Sequence, residues 1–398
     1  MSQQLINLSP DLKRLQDEGY EIEIRWNHLL IHSVPYVTST GEIAKGTLVS
    51  DLILAGGITA KPVGGLAHVA HFIGDYPCTR EGVRISQIQH MSNRSTLAGD
   101  IVIDHSFSNK PAAGYTDYHE KMTRYVEIIS AHAASIDPSV TACTFKIIEA
   151  QEEKSPFVYF DTASSRAGIG AISEKLALPK VAIVGLGGTG SYVLDLLAKT
   201  PVQEIHLFDG DIFLQHNAFR SPGAAPLETL KLQPRKVDHF KSIYSQMHKG
   251  IIAHEGFISE KNVQNLRGVD FVFLCIDNGI VKRAIIDELL SSKTQFIDVG
   301  MGIELIEESG ELVGICRVTT SSISKQNHIS SRIPLADAQV DHVYGSNIQV
   351  ADLNALNAAL AVIKWKKICG FYQDIEREHN STYSINVNQL TSDELDAT

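Results

Sequence analysis

From Lys180 onward, short wholly apolar runs alternate with stretches in which apolar residues recur every three and four positions. VAIVG (181 to 185) predicts a buried strand and TGSYVLDLLAKT (189 to 200) a helix. EIHLFDGD (204 to 211) predicts the next strand, RKVDHFKSIYSQM (235 to 247) a helix, and GVDFVFLCIDN (268 to 278) a second buried strand. VKRAIIDELL (281 to 290) and QFIDVG (295 to 300) continue the alternation as helix and strand. Strands separated by helix-length segments are the pattern of a parallel sheet with helical crossovers. ELVGICRVTT (311 to 320) predicts a strand beyond the parallel core, VADLNALNAALAVIKWKKI (350 to 368) a long helix, and SINVNQL (384 to 390) an edge strand.

The first part of the chain has a different rhythm. YEIEIRW (20 to 26) and DIVIDHSF (100 to 107) alternate with period two, Gly, Pro, Asn and Ser punctuate the intervals, and YHEKMTRYVEIISAHAASI (118 to 136) carries a helical stripe. QEEKSPFVYFDTASS (151 to 165) is polar and turn-rich, as a connection would be. The expected architecture is therefore a smaller α+β domain over residues 1–150, followed by an α/β domain with a mostly parallel sheet over residues 151–398. A chain of 398 residues exceeds what one ordinary core organises, which agrees with two domains.

Composition narrows the function classes. Hydrophobic content of 43% and charged content of 20% are those of a globular protein. No run of eighteen apolar residues occurs, and MSQQLINLSPDLKRL lacks the basic-then-apolar layout of a signal peptide, so a cytoplasmic location without a membrane partner is expected. A net charge of -11 argues against binding that works by neutralising nucleic-acid phosphates. The five cysteines are an odd number, widely spaced and without a CxxC, so neither a disulfide framework nor structural zinc is expected. His68 and His71, with Cys78 beyond, have metal-ligand chemistry, but surface or core histidines are far commoner.

Gly185, Gly187, Gly188 and Gly190 fall between a predicted strand and a predicted helix. A glycine turn there lets backbone amides and a helix N-terminus approach phosphates, though a tight turn without ligand has the same spelling. Asp209 ends the following strand, where a carboxylate can hold ribose hydroxyls. These features suit ATP and NAD equally.

The next block is more specific. Asp209-Gly-Asp211-Ile-Phe-Leu-Gln-His-Asn217-Ala-Phe-Arg220 resembles the acidic loop and Asn-x-x-Arg motif of the ThiF, MoeB and ubiquitin-activating superfamily. Gln233-Pro-Arg-Lys236-Val is similar to that family's lysine segment, and Cys275-Ile-Asp277-Asn278 to its strand-end motif. The matches run in order from Val181 to about Asn278, with weaker likeness to about Ile368. The resemblance implies a Rossmann-like adenylyltransferase that uses ATP and Mg to adenylate the C-terminal glycine carboxylate of a ubiquitin-like protein. By resemblance, Arg220 and Lys236 would clamp the triphosphate, Asn217 would hydrogen-bond it, Asp209 and Asp211 would line the nucleotide site, and Asp277 would hold Mg with Asn278 beside it. For Asp277 a helix N-cap is the bland alternative. Arg166 is the candidate for an arginine supplied to a neighbouring subunit, and Lys282 stands where the family has another basic residue, against an ordinary exposed helix charge.

Relatives then pass the acyl group to a cysteine in a crossover segment, which here spans about 319–347 and contains none. Cys316 lies just before it, in a strand where burial is the commoner fate. The segment holds Thr319, Thr320, Ser321, Ser322, Ser324, Ser330 and Ser331 instead. Thioester at Cys316, oxyester at a hydroxyl, or direct transfer to a partner all remain open. Residues 1–150 resemble the leader domain, of unknown function, of bacterial ThiF-type proteins encoded beside ubiquitin-like modifiers and conjugating enzymes; since these residues carry no active-site constellation of their own, recruitment of the modifier or of a downstream conjugating enzyme is the expectation. A homodimer is implied by the resemblance. The competing readings are a sulfur-carrier adenylyltransferase, an NAD-dependent oxidoreductase, which leaves Asn217, Arg220, Lys236 and Asp277 unexplained, and a non-catalytic scaffold.

Overall fold

The computed structural model describes residues 2–147, 155–167, 169–335 and 348–392. The chain divides into two compact units, Met1–Ile148 with Thr162–Gly168, and Glu149–Asp161 with Ile169–Thr398.

In the first unit, helices α1 (Ser2–Leu8) and α2 (Pro10–Asp17) lead into strands β1 (Ile22–Arg25), β2 (His28–Val37) and β3 (Ile43–Asp51). A short hairpin, β4 (Leu54–Ala55) and β5 (Ile58–Thr59), precedes β6 (Val69–Ile73), β7 (Gln89–Ala98), β8 (Ile101–Ser108), helix α3 (Tyr118–Ile136) and the short α4 (Thr162–Arg166). Six strands form an antiparallel sheet in the order β1-β2-β3-β6-β8-β7. Period-two alternation on β2 sends Leu29 and Ile31 into the main core and Leu30 to the opposite face, beside Val49 and Ile103. A bulge between Ile31 and Val34, with Ser33 at φ 58°, shifts the register so that Val34 and Tyr36 return to the main core.

Helix α3 starts where Asp117 accepts from the Glu120 N–H and Glu120 accepts from the Thr116 N–H, a reciprocal cap. Met122, Tyr125, Val126, Ile129 and Ala133 form its buried stripe. Lys121 is also buried, at 1% exposure, and its Nζ donates to Ser50 Oγ at 2.8 Å and to Val69 O at 2.7 Å. Burial pulls its ammonium down to about 8.

The second unit contains α5 (Gly170–Ser173), β9 (Lys180–Val184), α6 (Gly188–Leu197), β10 (Glu204–Asp209), α7 (Gln215–Ala218), α8 (Leu227–Leu232), α9 (Lys236–Tyr244) and β11 (Ile251–Glu255). It continues with β12 (Phe271–Leu274), α10 (Gly279–Ser291), β13 (Gln295–Ile306), β14 (Glu311–Ser321), α11 (Ile329–Arg332), α12 (Ala351–Ile368), β15 (Asn380–Ser384) and β16 (Gln389–Ser392). Its eight-stranded sheet has the order β11-β10-β9-β12-β13-β14-β15-β16. The first five are parallel and the last three antiparallel. Both faces are covered, so the central strands are apolar, β9 from Val181 to Val184 and β12 from Phe271 to Leu274. On β9, Val181 and Ile183 face α6, α9 and α12, through Leu194, Phe240 and Trp365 among others, while Ala182 and Val184 face α10, through Ile285 and Leu289.

The strand order reverses beside β9, whose neighbours are β10 and β12. Crossovers from such a pair leave by opposite faces, so a crevice opens at the carboxyl ends of the strands. Two elements differ from the sequence expectation. SINVNQL is not one strand: β15 ends at Ser384, the chain turns through Asn388 at φ 50°, and β16 begins at Gln389. Strand β11 was not predicted at all.

Candidate active site

The crevice is built from strand ends in register. Phe208, Val184, Leu274, Asp298 and Thr319 lie side by side on β10, β9, β12, β13 and β14. The residues just beyond them therefore converge.

Gly185 follows β9 at φ 91°, and a Cβ there would sit 2.6 Å from Cys275 O. Gly190 is tighter still, since its Cβ would collide with Gly185 O. Gly187 is the N-cap of α6 and supplies no side-chain cap, leaving the first-turn amides of that helix to be satisfied by something else. Asp209 shapes the turn: its Oδ2 accepts from the Leu186 N–H at 2.7 Å and its Oδ1 from the Asp211 N–H at 2.8 Å. Burial pushes its carboxyl up, opposed by Lys236. Lys236, at the start of α9, places Nζ 2.6 Å from Asp211 Oδ2 and 3.8 Å from Asp209 Oδ2.

Arg220 contrasts with Lys236. Its backbone N–H donates to Asn217 O, yet its buried Nε has no partner and its guanidinium forms no ion pair among the described residues. A buried cationic donor in that condition is an unmet demand for an anion. At the end of β12, Asn278 rather than Asp277 caps α10, accepting from the Val281 N–H at 3.0 Å. Asp277 is thereby left on the crevice wall.

These residues surround one cavity of about 820 Å³. Of the residues singled out by sequence, Gly185, Gly187, Gly188, Asp209, Asp211, Arg220, Lys236, Asp277, Asn278 and Lys282 line it. Gly190 does not; it is the packing glycine behind the turn. Asn217 does not either: it is buried, and its Oδ1 accepts from the Leu214 N–H at 2.9 Å, closing the corner that carries Arg220. The side chain of Arg166 lies outside the described residues, as do residues 336–347 of the expected crossover segment.

Cys316 is corrected from candidate acyl acceptor to core residue. It is fully buried beside Ile303 and Leu353, its thiol faces Leu353 O at 3.7 Å, and burial pushes the thiol up to about 11. Thr319, Thr320 and Ser321 are buried in β14. Ser322 pairs with His379 Nε2 at 2.8 Å, an arrangement able to activate a hydroxyl, but at the wrong end of the sheet. Ser321 lies opposite Phe296 at the start of β13, whereas Arg317, opposite Gly300, lines the cavity. Five residues of strand separate Arg317 from Ser322, roughly 16 Å.

Sequence reasoning missed the crevice floor. Asp298 is fully buried, with Lys282 Nζ 2.7 Å from Oδ1 and Arg317 Nη2 2.6 Å from Oδ2. Burial pushes its carboxyl up and the two cations oppose this. Lys282 is thus a buried ion-pair partner rather than an exposed helix charge. Arg317 also donates to Arg332 O, tying α11 to the sheet. One signal was available: an aspartate in the middle of the apolar run QFIDVG has to find partners.

Residues 164–363 match the ThiF family, half of the chain. The chain belongs to the ThiF family. Residues 10–162 match a domain of unknown function, DUF6791. Among curated proteins, this ThiF chain is 30% identical over 123 residues to ubiquitin-like modifier-activating enzyme 5 of Drosophila mojavensis, covering 28% of this chain and 31% of that protein. It is 30% identical over 129 residues to tRNA threonylcarbamoyladenosine dehydratase of Haemophilus influenzae, covering 32% of this chain and 49% of that protein. The matches thus span 31% and 49% of the length of these relatives. Among solved structures, the microcin C7 biosynthetic enzyme MccB with N-formylated MccA aligns at TM-score 0.47 and 16% identity, over 57% of this chain and 68% of that one. PaaA aligns at TM-score 0.45 and 18% identity, over 56% and 75%. The ThiF-type fold and the leading N-terminal domain agree with the sequence reading. Among the described residues, no group of three or more His, Cys, Asp or Glu side chains is arranged to hold a metal ion. No described helix is long and apolar enough to cross a membrane.

Proposed function

We propose that this ThiF-family chain is an ATP-dependent adenylyltransferase whose substrate is the C-terminal glycine carboxylate of a ubiquitin-like protein. The observation that carries the reading is Arg220, a half-buried guanidinium on the cavity wall with no acid partner among the described residues, facing the same space as a glycine turn whose helix amides lack a side-chain cap. A triphosphate supplies the missing anion.

In the proposed reaction a carboxylate oxygen attacks the ATP α-phosphorus, the bond from that phosphorus to the bridging oxygen breaks, and pyrophosphate leaves with the electron pair. Arg220 and Lys236 neutralise the phosphates so that two anions can meet, and the turn amides orient them. Lys236 enters already paired with Asp211 and Asp209, which holds its ammonium in place. Asp277, a carboxylate on the cavity lining, would hold a magnesium ion. When bound, that ion would add charge neutralisation at the leaving group.

The first unit, in this reading, recruits the modifier or a downstream conjugating enzyme, and the protein acts as a homodimer in the cytoplasm. A sulfur-carrier protein ending in glycine would undergo the same chemistry. The test is exchange of labelled pyrophosphate into ATP, with Mg and small proteins ending in glycine. Exchange that depends on the terminal glycine supports the reading; NAD binding without ATP binding overturns it.

A further inference from the structure

The ion triad in the crevice floor bears on the corner that carries Asp277. Between β12 and α10 the chain turns through Cys275, Ile276, Asp277 and Asn278, and both ends of the corner are fastened. At one end the Cys275 N–H donates to Val184 O at 2.8 Å, and Cys275 O lies so near Gly185 that a Cβ there would approach it to 2.6 Å. At the other end Asn278 is locked to the helix twice: its side-chain oxygen accepts from the Val281 N–H at 3.0 Å, and its carbonyl from the Lys282 N–H at 2.9 Å. Asp277 therefore follows the first turn of α10. Because the same corner abuts the glycine turn, its placement sets the separation between the Asp277 carboxylate and phosphates held by that turn.

Lys282 stakes the first turn to the sheet, its Nζ lying 2.7 Å from Asp298 Oδ1. The anchor is firm. At Asp298, β13 is paired on both sides, with Leu274 of β12 and Thr319 of β14, and Arg317 Nη2 lies 2.6 Å from the other carboxylate oxygen. Asn357 Nδ2 of α12 also donates to Gly300 O, just beyond, at 3.0 Å. Farther along α10 the contacts are apolar, through Ile285, Ile286 and Leu289, and apolar packing has no preferred direction.

Stability alone gives a poor account of a charge at this place. A cation near a helix N-terminus opposes the helix dipole. Lys282 is 5% exposed and Asp298 0%, and desolvating such a pair commonly cancels its attraction, so an apolar side chain would serve the fold as well. What the pair adds is a fixed direction.

We propose that Asp298, acting through Lys282, is a positioning residue that holds the Asp277 carboxylate in place for a divalent cation on the bound triphosphate. The inference deepens the adenylation reading and rests on it. Neither Asp298 nor Lys282 takes part in the bond changes.

The test uses the full chain with the analogue α,β-methylene-ATP, whose affinity is read by calorimetry in excess Mg and again in EDTA; the ratio of the two is the metal gain. In the unaltered protein Mg should strengthen binding, and Asp277→Ala should erase the gain. Lys282→Met, which leaves Asp298 its Arg317 partner, should cut the gain about tenfold while affinity in EDTA stays within about threefold. Lys282→Arg keeps a donor for Asp298 and should retain most of the gain. In the Asp277→Ala background, Lys282→Met should lower the gain no further. Thermal unfolding checks that each variant is folded at the assay temperature, and Lys282→Leu replaces Lys282→Met with the same expectation should the latter not fold. The proposal falls if Lys282→Met keeps the full gain, or if Lys282→Arg and Lys282→Met lose it alike. It falls too if Lys282→Met weakens binding equally with and without Mg, as loss of a cation acting directly on phosphates would. A gain absent from the unaltered protein overturns it together with the metal assignment of Asp277, whereas failure of the analogue to bind the unaltered protein at all removes the adenylation reading.

Discussion

Replacing Arg220 by Ala separates binding from folding more cleanly than any other change in the crevice. Among the described residues the guanidinium has no acid partner and its Nε no acceptor, so the unliganded protein loses no hydrogen bond or ion pair to them when it is removed. Its stability should change by under about 0.5 kcal/mol. With a triphosphate bound, the same group makes charge-assisted hydrogen bonds worth about 1.5–3 kcal/mol. That corresponds to roughly 10- to 150-fold in ATP affinity, or in kcat/KM for pyrophosphate exchange. Lys236→Ala is the internal contrast. It strands the buried Asp209 and the nearby Asp211, so it should lose stability as well as activity. The stability loss should fall below the ~3–5 kcal/mol of a fully buried pair, since Asp211 is 53% exposed. Calorimetric ATP titration and thermal unfolding of both variants give the two readouts. Unchanged ATP affinity in Arg220→Ala, or a drop in its Tm as large as that of Lys236→Ala, would refute the reasoning.

Asp298→Asn strands two cations at once and should cost about 3–5 kcal/mol, lowering Tm by 6 °C or more on the order-of-magnitude scale for a unit this size; an unchanged Tm would mean the triad is not formed. Gly190→Ala should abolish nucleotide binding, because its Cβ collides with Gly185 O and forces the turn open; ATP titration checks it. Cys316→Ala should leave any acyl-enzyme yield unchanged by mass spectrometry, the thiol being buried and pushed up to about 11. The first unit should have a pH signature: Lys121 has a depressed pKa, so its folded form releases a proton near pH 8 while the unfolded chain holds it to about 10.5. Stability should therefore be greatest above the unfolded value and lost as pH falls toward 8, a change of up to about 3 kcal/mol. Buried Tyr115 and Tyr118, both pushed up to about 12, oppose the rise once pH exceeds 10. Urea unfolding between pH 7.5 and 10 should show the slope, and Lys121→Met should flatten it.

The elements legible in the sequence were those whose local signals agreed. Helix α3 was readable over its full length because its apolar spacing coincides with the cap at Asp117. Strands β9 and β12 were readable because burial on both faces makes Val181–Val184 and Phe271–Leu274 unbroken apolar runs. Strand β11 escaped because IIAHE ends in His254 and Glu255 at a sheet edge, where polar residues are tolerated. The cavity wall was legible as far as motifs reach, which covers the ends of β9, β10 and β12. Asp298, Arg317 and Asn357 were not, since their meeting depends on β13, β14 and α12 closing in space. The roles of Gly190 and Asn217 were misassigned for the converse reason: a motif shows which residues matter together, and only geometry separates those that face the ligand from those behind it.

At Asn217 that division has a mechanical consequence. Its carboxamide fastens the Leu214 amide, and its own carbonyl receives the Arg220 N–H, so one inward-facing side chain sets the bearing of an outward-facing one. An amino acid unable to hold that fastening would let the guanidinium drift and silence turnover without ever having met a phosphate. Kinetic loss at this position is therefore a measure of aim, and should be rescued by a chain that repairs the corner rather than by one that restores charge.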